Sequence, residues 1–191
     1  AVDAGIEMAP CRLQRFNSTH HTFLTQRFDR VGSLRRHFSS AMTQLGYYDG
    51  GAGASYLELA QFLIEQGANT QQDLHQLWRR MVFNILVSNA DDHLRNHGFL
   101  LSENSSGWRL SPAYDLNISL GAAGLHLNID EYSNALDLDL ALEVAPYFQL
   151  PTSEARLILD QLQKVTCRWH HYANEIGIHR QEQQLIASAI M

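Results

Sequence analysis

Seven apolar side chains, Leu74, Leu77, Trp78, Met81, Val82, Ile85 and Leu86, recur at steps of three and four between Thr70 and Ser88. An α-helix places residues at those steps on one face, so the segment is predicted to be a well-buried amphipathic helix. It runs directly into Ser88-Asn89-Ala90-Asp91-Asp92-His93-Leu94-Arg95-Asn96-His97, which has no apolar stripe and carries a dense set of titratable groups. A polar loop fastened to the end of a core helix is well placed for chemistry, because a rigid scaffold holds its side chains.

The rest of the chain arranges itself around that unit. Cys11 to Phe16 and His21 to Arg27 read as two strands joined at Asn17-Ser18-Thr19. Ser55 followed by Glu58 has the form of a capping box, and Leu59, Phe62 and Leu63 continue a short helix to a stop at Gly67. Gly98-Phe99-Leu100-Leu101 and Trp108-Arg109-Leu110 flank the turn-prone Glu103 to Gly107, which predicts a second hairpin. Helical patterns return after Asn134, through Ala141 to Phe148, from a Thr152 cap to about Tyr172, and from His179 onward. With 191 residues and 45% apolar content, one sizeable core is expected, in a mainly helical α+β fold with short hairpins.

Net charge of −6 argues against a surface given over to nucleic acid. Cys11 and Cys167 form no Cys-x-x-Cys pair, so neither a disulfide framework nor a cysteine zinc site is suggested, and a reducing cytoplasm fits. No apolar run reaches the roughly 20 residues needed to span a bilayer, and no signal-peptide pattern stands at the start. Ala1-Val2-Asp3-Ala4-Gly5 reads as the last turn of a helix ending at Gly5, as if the chain began inside a longer protein.

Phosphoryl transfer needs a carboxylate at the attacking hydroxyl and hard oxygen ligands that hold magnesium against the phosphates. Asp91 and Asn96 stand as Asp-x-x-x-x-Asn, the spacing of a kinase catalytic loop, and Asp115 follows the second hairpin as a further carboxylate. The residues leave other readings open. Asp91 and Asp92 suit a capping pair on a solvated surface, and Asp92 could touch magnesium or cap local amides. Asp91, Asp92, His93 and Asp115 could serve a metal-dependent hydrolase, and a noncatalytic interaction module is a third class. His93 and His97 are four apart but lie in a loop, so structural roles are expected, with His93 orienting the loop by hydrogen bonds. Trp78 and Trp169 are expected in the core, and Trp108 beneath the site.

Asn89 to Phe99, containing Asp91-Asp92-His93-Leu94-Arg95-Asn96-His97-Gly98, and Trp108-Arg109-Leu110-Ser111-Pro112-Ala113-Tyr114-Asp115-Leu116 together resemble the HipA-like serine/threonine kinases. The resemblance extends back to Gln26-Arg27-Phe28-Asp29-Arg30, which is similar to that family's nucleotide hinge. It implies the large, carboxyl-terminal lobe of a kinase-like fold: hinge strands over residues 1–30, helices, catalytic loop and metal-binding hairpin over 55–116, and a helical packing layer over 135–191. Asp91 would be the catalytic aspartate, Asn96 and Asp115 the magnesium ligands, and Arg95 a cation facing phosphate or substrate, with His93 in support. Backbone around Arg27 and Phe28 would hold adenine, and Asp29 would be available to the ribose of ATP. The family implies a toxin kinase whose protein substrate can be an aminoacyl-tRNA synthetase. It also implies a HipB-like antitoxin that would make any contact with DNA. The phosphate-covering loop and phosphate lysine are not visible, since Gly50-Gly51-Ala52-Gly53 reads as an irregular connector, so the small lobe is expected upstream.

Overall fold

The computed structural model describes residues 1–17, 20–51, 53–103 and 106–191. In chain order, strands β1 (Cys11–Arg15) and β2 (His21–Thr25) form an antiparallel ribbon in which Leu13 faces Phe23. The connection between them, expected at Asn17-Ser18-Thr19, includes Ser18 and Thr19, which lie outside the described residues. A second, minimal ribbon pairs β3 (Arg30–Val31) with β4 (Leu34–Arg35). Strand β5 (Phe38–Ser40) leads into the short helix α1 (Ala41–Gln44), where the Ser40 hydroxyl accepts from the Thr43 amide.

Helix α2 (Tyr56–Gln66) begins at the predicted capping box, with the Glu58 carboxylate accepting from the Ser55 amide at 2.9 Å and the Ser55 hydroxyl accepting from the Glu58 amide. Helix α3 (Thr70–Leu86) carries the apolar stripe, and all seven of its residues are fully buried. Strands β6 (Gly98–Leu101) and β7 (Trp108–Leu110) form the predicted hairpin, whose connection includes Asn104 and Ser105, also outside the described residues. The Asp137 side chain caps α4 (Leu138–Val144), which tightens into a 3-10 turn over Ala145–Phe148 where Pro146 removes a donor. Then come α5 (Thr152–Thr166), α6 (Trp169–Glu175), α7 (Arg180–Ile186) and a last 3-10 turn, Ala187–Ala189.

Helix α3 is the axis of the core. The Trp78 indole donates to the Ala141 carbonyl at 2.9 Å, pinning α4 across it, and Phe62 of α2 meets Phe99 of β6 with ring centroids 4.4 Å apart. Near the start, Gly5 donates to the Val2 carbonyl and Ile6 to the Ala1 carbonyl, with Gly5 at φ +75°. That pair of bonds is the helix-ending pattern expected there. The chain then runs alongside the second hairpin's exit, as Ala113 donates to Glu7 at 2.7 Å and Ala9 to Ala113 at 3.1 Å.

Several details depart from the expectations. Strand β5 adds to the β6–β7 hairpin, making a three-stranded sheet in the order β5-β6-β7. The helix expected from Thr152 to about Tyr172 breaks at Cys167 and Arg168, where the Thr166 hydroxyl turns back onto the Leu162 and Gln163 carbonyls and competes with the helix ladder. Pro151 rather than Thr152 holds the capping position. Trp169 is half-buried against His170 instead of lying in the core, and half-buried Trp108 packs edge-on to His37. Among the described residues no helix is long and apolar enough to cross a membrane.

Candidate active site

Helix α3 has a second buried stripe, and it is polar. Asp73, Arg80 and Asn84 fall at helical steps and are almost fully buried. Asp73 accepts from the Arg109 guanidinium and from the Leu110 amide, which fastens β7 to the helix. Arg80 donates to the Ser111 carbonyl at 2.6 Å, just before the Tyr114-Asp115 pair. Burial pulls Arg80 down to about 10, against the raising influence of Glu7, Asp92 and Asp73, so it is still a cation at neutral pH. Asn84 donates to the Tyr56 hydroxyl and accepts from the Asn89 side chain. The helix thus grips both the polar loop and the hairpin exit.

Within the loop, the two adjacent aspartates point in opposite senses. Asp92 is 1% exposed and accepts from the Tyr56 hydroxyl and from His97 Nε2, the latter at 3.0 Å. Burial pushes its carboxyl up, but the His97 ring and the Tyr56 and Asn84 groups outweigh that and hold it below the ordinary carboxylate value. Asp92 is therefore an anchor, held by the Tyr56 and His97 side chains rather than by local backbone amides. Asp91 is exposed. Its carbonyl accepts from Asn96 Nδ2 at 3.0 Å, and that bond commits the Asn96 amide nitrogen and leaves Oδ1 as the side chain's remaining acceptor. His97 makes a ring bond within the loop, to Asp92, whereas His93 bonds through its backbone, its amide donating to the Asp91 carbonyl and its carbonyl accepting from Asn96.

Asp115 is bracketed by the same loop. On one side the Tyr114 hydroxyl donates to the Arg95 carbonyl at 2.7 Å; on the other, Ser119 donates from its amide to the Ser88 carbonyl and accepts at its hydroxyl from Ala90. Burial pushes the Tyr114 phenol up, so it stays a neutral donor. Asp115 itself is exposed and adopts φ +56°, a left-handed conformation uncommon for a non-glycine residue. Its Oδ1 accepts from Asn117 at 2.8 Å. Backbone held in such a region marks a position that its surroundings over-determine.

Arg27, Phe28 and Asp29, the residues expected to form a hinge, meet this assembly in a cleft of about 350 Å³ that Phe38, Arg95 and Tyr114 also line. The Phe28 ring lies 5.6 Å from Tyr114 and 5.7 Å from Phe38. Gly98 allows that approach, since a side chain there would run into the Phe38 ring. Asp29, expected to be available to a ribose, has both oxygens engaged, by Arg27 at 2.8 and 2.7 Å and by Arg30 at 2.6 Å. Hydrogen bonding to Arg27 holds its carboxyl below the ordinary value. Sequence reasoning gave no roles to Tyr114, Arg80 or Tyr56. The polar residues recurring at helical spacing in α3 were the available signal for Arg80.

The helical body with its small antiparallel sheets, the loop carrying Asp91 and Asn96 and the hairpin exit carrying Asp115 belong to a kinase-like α+β architecture. Over 98% of its length the chain shares its fold with half of a chain from the Shewanella oneidensis MR-1 toxin–antitoxin complex of HipA, HipB and operator DNA (TM-score 0.74, 19% identity). The Helicobacter pylori proinflammatory kinase CtkA matches over 85% of this chain and 78% of its own (TM-score 0.54, 12% identity). A Haemophilus influenzae protein named "Putative kinase" is 34% identical over 61 residues, which are 32% of this chain and 18% of that protein. Residues 1–169 match the HipA-like C-terminal domain, and the chain belongs to that family.

Proposed function

We propose that this chain is the catalytic portion of an ATP-dependent kinase that phosphorylates a protein serine or threonine. The observation that carries the reading is the double tie that holds Asp115 against the Asp91–Asn96 loop, through Tyr114 to Arg95 and through Ser119 to Ser88 and Ala90. It joins the expected hydroxyl-orienting carboxylate and both expected metal ligands into one unit. Magnesium fits the donor set, because the Asn96 side chain keeps its oxygen and Asp115 is exposed, and the ion tolerates few protein ligands beside phosphate and water. Bound there, it would neutralise charge on the transferring phosphoryl group.

The chain's own part is positioning. Asp91 orients the acceptor hydroxyl and receives its proton as the acceptor oxygen bonds to the γ-phosphorus. The bond from that phosphorus to its bridging oxygen breaks, and ADP leaves. Arg27 and Phe28 line the cleft proposed for adenine, and Arg95, shared by cleft and loop, faces the phosphates. The single lysine, Lys164, sits in the last turn of α5, so we assign the phosphate lysine and covering loop to sequence outside this chain. The chain spans 18% of its curated relative and half of the Shewanella chain, which accords with that assignment. By the same likeness we propose a cytoplasmic toxin kinase with a HipB-like antitoxin, DNA being touched through the antitoxin, and an aminoacyl-tRNA synthetase as one candidate substrate.

A hydrolase built on Asp91, Asp92, His93 and Asp115 is not supported. Asp92 faces Tyr56 and His97, and no group of three or more His, Cys, Asp or Glu among the described residues could hold a metal. The test is transfer of labelled γ-phosphate to a bacterial lysate, comparing this chain, an upstream-extended protein, and the extended protein with Asp91→Asn. Transfer is expected from the extended protein alone. A folded extended protein that transfers nothing would shift the assignment to a partner-binding module.

A further inference from the structure

Arg95 lines a second cavity besides the hinge cleft. This one, of about 410 Å³, is walled by the loop residues His93 and Arg95, by His126, and by the glycine-rich connector that carries Tyr48 and Asp49. Asp49 is the one carboxylate among its described lining residues, and it is ion-paired to Arg95. The Asp49 side chain is 75% exposed and that of Arg95 50% exposed, so the pair is weakly held and open to exchange with another anion. The connector that carries it leaves room beside it, since at Gly50 and Gly53 nothing lies within 4 Å of where a Cβ would stand. With Asp49 displaced, the described lining keeps the Arg95 cation and the two imidazoles and no negative charge.

We propose that this cavity receives the acceptor segment of the substrate protein, and that a carboxylate flanking the acceptor serine or threonine takes the place of Asp49 on Arg95. The proposal rests on the kinase reading above and adds its substrate class, an acidic acceptor segment. Location supports it, because His93 and Arg95 belong to the loop whose Asp91 must meet the hydroxyl, and the His93 amide is bonded to the Asp91 carbonyl at 3.1 Å. So does the chemistry of the resting pair, in which Asp49 already presents to Arg95 the group that the substrate would bring. Arg95 would then join the acceptor's anchoring to the phosphate cleft through one side chain.

The experiment uses the full-length protein and a serine peptide library in which Asp or Glu is compared with Asn or Gln at each flanking position. A charge-assisted hydrogen bond supports about a tenfold preference in kcat/KM for the acidic peptide at one or more positions. Arg95→Gln should erase that ratio whatever it does to the overall rate, and Arg95→Glu should favour Lys or Arg instead. Asp49→Asn should lower KM for the acidic peptide severalfold. An unchanged acidic preference in Arg95→Gln, or none in the wild type, overturns the proposal. Asp91-dependent ADP formation, measured in parallel, separates the two levels: if it persists with no acidic preference, only the acceptor assignment falls, and if it is absent, the kinase reading falls as well.

Discussion

Asp91 and Asp92 are adjacent and chemically identical, yet one is exposed and the other sits at 1% exposure under the hydroxyl of Tyr56 and the ring of His97. The buried one has a pH signature. Because its folded-state value is depressed, Asp92 contributes stability above its unfolded value near 4 and loses that contribution as pH falls through the lower folded value. Asp92→Asn should therefore destabilise by roughly 1–3 kcal/mol at neutral pH, with the gap to wild type closing below about pH 4. Urea unfolding across that range checks it, and parallel curves would refute it. Asp91, Asn96 and Asp115 could be put forward from the sequence because the roles proposed for them depend on residue type and spacing. Which of two neighbouring aspartates, or of His93 and His97, turns inward is decided by the loop's turns, and these have no signature in one sequence.

At the scale of elements, the apolar face of α3 was plain because seven large side chains repeat its period. Its polar stripe shares that period, but Asp73, Arg80 and Asn84 read as solvated until the elements that cover them are known. Strand β5 was hidden for a related reason, since a three-residue strand is defined by its partner β6, far along the chain. The stripe's function as a clamp can be tested at Arg109, which is one-third exposed and makes most of the bonds to buried Asp73. Arg109→Leu keeps the bulk on β7 and leaves the Leu110 amide as Asp73's described donor. The expected loss is about 1–3 kcal/mol, the penalty for a buried acceptor stripped of partners. A change of a few tenths in urea unfolding would mean that β7 is held by its strand pairing alone.

Across the whole molecule, charge is segregated in a way that the net value conceals. Residues 11–37 carry six arginines against one carboxylate, and the remainder holds eight basic residues against nineteen acidic. The basic segment contains the proposed hinge, and Arg27 from it lines the proposed nucleotide cleft with Arg95. A protein of charge −6 would repel an anionic nucleotide if its field were uniform. With six arginines in the segment that supplies Arg27 to the cleft wall, the local field is expected to attract it. Association of magnesium ATP with the full-length protein should accordingly slow as salt rises, on the order of tenfold from low to several-hundred-millimolar ionic strength, where screening shortens to a few ångströms. Arg12→Glu, at an exposed position on β1 that lines no part of that cleft, should slow association further at low salt and make little difference at high salt. Stopped-flow binding at several salt concentrations decides it. Rates that rise with salt would show that the acidic majority governs the approach and that the hinge arginines act only through their local pairs with Asp29 and Glu103.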